Sequence, residues 1–571
     1  MSSWVDYQSM QLAIHDAIKT TLSELNLPDV DFVVDYPTDK NADADYFSNV
    51  ALVLAKKVGQ APRDIAAQIA TALTNKIDQI ASIEVAGPGF LNVAMERSFF
   101  TTVTAVVLAE GKAWGKNNSL VGQKILIEKS APNLYKPFHV GHLLNISITE
   151  SISRITKLSG ADVIDVSYPS DISLGVSKAV WSLLQTGADT SDIRALGDAY
   201  VAGTKAYEES ELVQEEIKVI NTTLNTTKNG QVWKVYQAGR KTSLEYFETI
   251  TTRLGSTFDD HFYESEAGVL GKTIVEAKVG EIFEESNGAI IFAGEKYGLH
   301  TRVFVTSTGL PVYEAKDIGL IKMKFDRHNP DQSILYTDAE QKQYFEVIKK
   351  AAELTFGDWG EKTHYLQHGR LRFADGKVSS RLGNVPLAED LLEEVQAAAR
   401  ARIVESNRVF TEAQLDALTD KIAIAALKYT FLKVAPGKNI TFDFNQALSF
   451  EGDSGPYLQY TYARIQSVLH KAAQANVLPD TAIVPVVAYA IEKLVERFPT
   501  VIVTSLIDRA PHHLVTYLTE LAGEFNSFYA QEKIADATDE FAPYKVAVAQ
   551  AVGQTLKQGL WALGIEAPER M

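Results

Sequence analysis

The 571-residue chain contains no cysteine, which rules out disulfides, thiolate nucleophiles, Cys-ligated zinc and iron–sulfur clusters. Histidine is scarce as well, 11 in all, and none falls in the HExxH spacing of a helical zinc site. No structural metal is therefore expected. No run approaches the roughly 20 apolar residues of a membrane span, and the opening MSSWVDYQSMQLAIHDAIKTTL lacks the apolar stretch of a secretory signal. A cytoplasmic location without a membrane partner is the expectation. Basic residues are in deficit: 55 Lys and Arg against 72 Asp and Glu leave a net charge of −17. Averaged over the chain, that opposes nucleic acid as a partner, because phosphates want a basic footprint. A large acidic chain can still carry one basic face.

What is present is ordinary for a soluble globular protein, with 46% apolar and 22% charged residues, and the length suggests about three or four domains. Residues 1–110 read as a small α+β domain, with helices at Met10–Leu25, Asn49–Val58 and Pro62–Leu73 and two strands around the Gly-Pro-Gly turn of IEVAGPGFLNVAM. Residues 120–388 alternate strand and helix. KILIEKS, a helix from His139 to Leu158 stopped at Gly160, and ADVIDVSY make a βαβ unit and hence a parallel, Rossmann-like sheet. Residues 182–302 read as a charged, largely helical insertion, after which RVFVTS and SILYTD resume the α/β pattern. Residues 389–445 then form a helical connector and 446–571 an all-helical domain, so the fold class is α/β multidomain with α+β and all-helical additions.

Chemistry concentrates at SAPNLYKPFHVGHL, Ser130–Leu143. The turn from first strand to first helix of a βαβ unit lies at the carboxyl edge of the sheet, where ligands bind. A helix N-terminus there presents unpaired N–H groups and a positive dipole end to anions. Gly141 would let a ligand approach the backbone, and His139, His142 and Lys136 could stabilise charge on a triphosphate. A bare HxGH is more often two surface histidines; the strand before it and the helix after it favour function. A second loop, DGKVSSRLGN (Asp375–Asn384), is a polar, glycine-bounded stretch whose Lys377 and Arg381 suit a clamp over pyrophosphate. A solvated hairpin would look the same.

Together the two loops resemble the HIGH and KMSKS signatures of class I aminoacyl-tRNA synthetases, and the surrounding residues are similar to the arginyl-tRNA synthetase family. Glu128, Pro132, Asn133, Lys136, Pro137, His139, Gly141 and His142 follow in that family's order. GLPVYEAKDIGL (Gly309–Leu320) resembles its Tyr-and-Asp helix, YTDAEQKQYF (Tyr336–Phe345) the segment carrying its glutamine, FEGDSGPYLQYTYARIQSVL (Phe450–Leu469) its anticodon-binding domain, and GPGFLNVAM the end of its N-terminal domain. The resemblance covers nearly the whole chain. It implies ATP binding at His139, Gly141, His142, Val378, Ser379 and Ser380, with Lys136, His139, His142, Lys377 and Arg381 as catalytic groups and magnesium accompanying ATP. It implies arginine contacts at Glu128, Asn133, Tyr313, Asp317 and Gln341. A guanidinium, with five in-plane donors and no acceptor, wants such acceptors around it. A site of that kind rejects analogues lacking the expected group strongly enough that no editing domain is expected.

Three departures stand out. The second lysine of KMSKS is Ser380, so Lys136 is thought to supply the charge instead. YPSDISLG (Tyr168–Gly175) replaces the family's GDWG region and keeps only Asp171 and a later glycine, and the family's common histidine before Phe345 is Tyr344. Neither of these last two regions is expected to be a site. For tRNA(Arg), Tyr457, Tyr460 and Arg464 share one helix face at i, i+3 and i+7, suited to stacking unpaired bases. A tyrosine-rich core face gives the same pattern. By resemblance these residues touch the anticodon loop with Met571, while Phe90 and Asn92 are candidates for the tRNA elbow and adenylate formation generally requires tRNA. The expected reaction is ATP-dependent arginylation by a monomer. The rivals are a small-molecule HxGH nucleotidylyltransferase and a non-catalytic tRNA-binding paralogue.

Overall fold

The computed structural model describes residues 10–37, 44–374, 387–405 and 409–571. In the N-terminal domain four antiparallel strands, β1 (Val34–Asp35), β2 (Tyr46–Ser48), β3 (Ile80–Ala86) and β4 (Phe90–Met95), pair in the order β1-β2-β4-β3. Alternation along β4 buries Leu91, Val93 and Met95 with helices Met10–Glu24, Val50–Val58 and Pro62–Leu73, and turns Phe90 and Asn92 to the other face.

The central sheet is parallel, with β5 (Lys124–Ser130) in the middle, β6 (Asp162–Ser167) and β7 (Asp260–His261) on one side, and β11 (Gln332–Asp338) and β12 (Thr363–His368) on the other. Ile125, Leu126 and Ile127 are all buried, the continuous apolar run of a strand covered on both faces. Strand order reverses between β5 and β11, so the ligand crevice opens beyond the carboxyl ends of those two strands.

The stretch 182–302 is not a single insertion. Four helices, Leu174–Thr186, Ile193–Glu209, Glu211–Thr226 and Gly230–Arg253, gather around their own core, which includes Leu196, Leu224 and Tyr236. The chain then returns to the sheet as β7 before leaving again for an antiparallel sheet of β8 (Glu284–Ser286), β9 (Ala289–Phe292) and β10 (Arg302–Val305). Strand β7 escapes a sequence reading because two residues carry no periodicity. Nor is the region after residue 388 wholly helical: β14 (Ile440–Phe442) pairs in parallel with β13 (Leu371–Phe373). The other C-terminal elements are helices, the longest being Glu412–Leu432, Gly455–Gln474, His512–Gln531 and Ala542–Ala562. Among the described residues no helix is long and apolar enough to cross a membrane.

Helices Glu264–Ala277 and Tyr313–His328 cross almost backbone to backbone. A Cβ on Gly271 would stand 1.8 Å from the Ala315 carbonyl oxygen, and one on Gly319 would stand 1.9 Å from that of Ala267. Neither neighbour is a side chain that can swing away. This crossing fixes the helix bearing Tyr313, Asp317 and Lys324. Gly319→Ala must force the pair apart, and overpacking of this kind costs about 1–3 kcal/mol; a lowered thermal unfolding midpoint is the expected calorimetric result.

Candidate active site

His139 is the N-cap of helix Val140–Leu158, and it caps in an unusual way. Its Nδ1 accepts the Gly141 N–H at 3.1 Å, while His142 Nδ1 accepts the His139 N–H at 3.1 Å. The two rings lie 3.9 Å apart. An accepting Nδ1 carries no proton, so in each neutral ring the proton resides on Nε2. Burial, reinforced by neighbouring Lys136, lowers the His139 pKa; burial, His139 and Lys136 together hold His142 well below the usual range. At neutral pH the pair is therefore two neutral Nε2–H donors at a helix N-terminus. Gly141 has a steric reason beyond ligand approach, because a Cβ there would meet the His139 ring at 2.9 Å.

These residues border a cleft of about 790 Å³ beyond β5 and β11. It brings together His139, Gly141, His142, Glu128, Asn133, Tyr313, Asp317 and Gln341, groups drawn from β5, two helix starts and the segment after β11. Lys136 is not among the lining residues: its ammonium lies 4.7 Å from the Tyr200 ring of the inserted helices, and burial lowers its pKa. Lys377, Val378, Ser379, Ser380 and Arg381 lie outside the described residues. Past that loop the chain is docked at the HVGH turn, with the Ala388 N–H donating to the Phe138 carbonyl at 2.8 Å.

The cleft carboxylates differ in their partners. Glu128, 1% exposed, receives Lys324 Nζ at 2.5 Å. Glu264 receives Lys316 Nζ at 2.5 Å, and Glu314 pairs with Arg302 at 3.1 Å. Asp317 has no ion-pair partner among the described residues; Tyr344 Oη donates to its Oδ2 at 2.5 Å. Burial raises the Asp317 pKa to about 7 despite that hydrogen bond, with Glu128 and Glu264 adding to the shift. Tyr313 is half exposed, and Gln341 accepts the Thr337 hydroxyl.

Sequence reasoning missed Tyr168, Tyr344 and Asn145, which also line the cleft. Tyr168 Oη and Asn145 Oδ1 are buried without hydrogen-bond partners among the described residues. Asn145 sits one turn beyond His142, a spacing that could have flagged it. Asp171, the residue retained from the family's pattern, instead serves as an anchor: it accepts Arg240 Nε at 3.0 Å and Ser265 Oγ at 2.8 Å.

A second cleft, of about 550 Å³, lies in the C-terminal domain and is lined by Tyr460, Arg464, Tyr529 and Met571 among others. Arg464 spans the Tyr460 and Tyr529 rings at 4.8 and 5.4 Å. Tyr457 is absent from its wall; its hydroxyl accepts Asn526 Nδ2 at 2.9 Å. On the N-terminal sheet, half-buried Phe90 meets Phe47 edge to face at 5.8 Å, and Asn92 stands in register with Phe47.

A parallel nucleotide-binding sheet leading into an HVGH cap, with a helical domain beyond it, defines a class I aminoacyl-tRNA synthetase. Residues 102–444 match the family model "tRNA synthetases class I (R), catalytic domain", residues 458–571 the DALR anticodon binding domain and residues 11–95 the arginyl tRNA synthetase N-terminal domain. An arginine–tRNA ligase of Clostridium perfringens is 28% identical over 561 residues, covering 96% of this chain and 97% of its own. One of Treponema denticola is 31% identical over 435 residues, 74% of each. The solved arginyl-tRNA synthetase of Thermus thermophilus superposes with a TM-score of 0.81 at 25% identity, over 98% of this chain and all of its own. The chain belongs to the class I arginyl-tRNA synthetase family.

Gly141→Ala tests the cap directly. By displacing the His139 imidazole it should slow amino-acid activation about 100-fold, the usual cost of misplacing a catalytic group by an ångström, while circular dichroism keeps its helical signal.

Proposed function

We propose that the main cleft activates L-arginine with MgATP and passes it to tRNA(Arg), the arginine–tRNA ligase reaction, in a cytoplasmic monomer. An oxygen of the arginine carboxylate attacks the α-phosphorus of ATP in line, and pyrophosphate leaves. The terminal ribose hydroxyl of tRNA then attacks the adenylate carbonyl, and AMP leaves. No side-chain nucleophile is needed, in keeping with a chain that has no cysteine.

His139 and His142 donate Nε2–H to the phosphates, and the helix N-terminus behind them adds its dipole. Magnesium enters with ATP and spreads the charge of the leaving group. Lys136, Lys377 and Arg381 supply positive charge to the phosphates. Asn133 and Gln341 hold the amino-acid backbone, and Tyr313 covers the side chain.

The observation carrying this reading is Asp317: a buried carboxylate without an ion-pair partner among the described residues, in a cleft where Glu128, Glu264 and Glu314 are each paired. A guanidinium fits that vacancy in charge and in its need for acceptors. ATP–pyrophosphate exchange with each amino acid, with and without tRNA, tests it. Arginine should be the one amino acid that supports exchange, and exchange with any other would overturn the assignment. Because the guanidinium binds only the ionised carboxylate, arginine KM should stay flat above about pH 7. Below that it should rise roughly tenfold per pH unit as Asp317 takes up its proton.

The second cleft reads the anticodon. Tyr460 and Tyr529, bridged by Arg464, offer ring faces for unstacked bases, and Met571 closes the wall. Phe90, Asn92 and Phe47 form a small platform for the tRNA elbow. Replacing Tyr460 by Ala should weaken tRNA binding by about 1–3 kcal/mol, read by filter binding at fixed salt, and leave the arginine KM unchanged.

A further inference from the structure

Tyr168 and Tyr344 both occupy positions where the chain departs from its family, and both line the cleft that holds Asp317. Tyr344, on helix Lys342–Phe356, places its hydroxyl 2.5 Å from Asp317 Oδ2 on helix Tyr313–His328. Arg302 lies over the Tyr344 ring at 5.1 Å and is itself held by Glu314. The hydroxyl occupies Oδ2 of Asp317, leaving Oδ1 without a hydrogen bond among the described residues. Tyr168 follows β6, is 6% exposed, and its Oη has no partner among the described residues although it borders the cleft. A buried hydroxyl in that state costs free energy that a bound ligand recovers. Of the carboxylates around it, Glu128 and Glu264 are committed to Lys324 and Lys316 and Asp171 to Arg240 and Ser265, which leaves Asp317, whose Oδ2 already takes the Tyr344 hydroxyl.

We propose that the two tyrosines complete the arginine pocket together: Tyr344 positions Asp317 by donating to one carboxylate oxygen, and Tyr168 Oη accepts an N–H of the guanidinium held by the other. The inference rests on the reading of this cleft as the arginine site and adds how the site is set. A guanidinium brings five donors, and one carboxylate oxygen cannot receive them all. A phenol oxygen is a neutral acceptor, so it adds a bond without adding another buried charge to a cleft already rich in carboxylates. Tyr344 brings a donor that stays neutral across the working pH range, so it never competes as a cation for Asp317. The remaining titratable groups facing Asp317 are Lys324 on its own helix, Glu128 on β5, Glu264 on the crossing helix and buried Tyr365 on β12. The first three are locked in ion pairs.

The test is arginine-dependent ATP–pyrophosphate exchange, with tRNA present, as a function of pH for the wild type, Tyr344→Phe, Tyr344→His and Tyr168→Phe. Tyr344→Phe removes a donor to the ionised carboxylate. The KM for arginine should rise about tenfold or more, and the pH below which it climbs should move upward, with kcat and the KM for ATP unchanged. Tyr344→His restores an N–H donor and should bring that pH back toward the wild-type position. Tyr168→Phe should raise the arginine KM with the pH dependence in place. Unchanged arginine KM in both Phe variants would overturn the proposal. So would a KM for ATP rising in step, or a Tyr344→His profile identical to that of Tyr344→Phe. A wild-type protein with no arginine-dependent exchange would instead remove the reading of the cleft itself.

Discussion

Two consecutive buried charges on the central strand organise the molecule. Glu128 and Lys129 are each 1% exposed and, by the alternation of a strand, point to opposite faces of the sheet. Glu128 reaches Lys324 and ties β5 to the helix that carries Asp317. Lys129 reaches Glu150 at 2.6 Å and Asp165 at 3.3 Å, tying β5 to the helix begun by His139 and to β6. An unpaired charge at either position would be untenable, and breaking one partner of such a pair commonly costs about 3–5 kcal/mol. One dipeptide thus places both walls of the cleft.

The cleft is divided electrostatically along the same line. On the side of the helix N-terminus stand neutral donors, His139 and His142, whose imidazoles burial keeps uncharged. On the side of helix Tyr313–His328 stand acceptors, most of them already neutralised by lysine or arginine. A carboxylate without an ion-pair partner beside paired ones is a more selective receptor than a set of free carboxylates would be. Free carboxylates would draw any cation and repel the ATP beside them, whereas here Glu128, Glu264 and Glu314 are each held by a cation. The Gly271–Gly319 crossing maintains this by leaving the helix no room to shift.

How much of this was legible depended on whether the determining contacts were local. The HVGH turn was, because strand, cap and helix are contiguous, and the parallel sheet follows from the same segment. Glu128 and Asp317 were legible through resemblance, but their unequal status was not. That status is set by Lys324, 196 residues from Glu128, and by Tyr344, 27 residues from Asp317. Tyr168 and Tyr344 looked like losses for the same reason: a departure from a family pattern shows what has gone, and only the fold shows what the new side chain touches. Lys136 stands three residues before His139 in the motif, but the sequence could not reveal the Tyr200 ring beside it. The helical periodicity of Tyr457, Tyr460 and Arg464 was real, but only the fold shows that Tyr460 and Arg464 line the second cleft while the Tyr457 hydroxyl is taken by Asn526.

The face of the sheet that carries Lys129 extends the same buried network outward. Glu150, which burial alone would raise, is held at about 2 by Lys129, Arg154 and Lys428. Arg154 in turn donates to the Trp561 carbonyl at 2.9 Å, and Lys428, lowered to about 7 by burial, donates to the Leu254 and Gly564 carbonyls at 2.6 Å each. Gln459 Nε2 then holds the Glu566 carbonyl at 2.8 Å, and residue 571 lines the second cleft. Residues 561–571 therefore run from the sheet's ionic network to the wall that holds Tyr460 and Arg464, with side chains from the catalytic and helical domains gripping their backbone on the way. Buried lysine-to-carbonyl bonds are costly to leave unmade, so this segment has little freedom to slide. The position of Met571 in one cleft is consequently fixed by the charge balance that begins at Lys129, next to the residue that shapes the other.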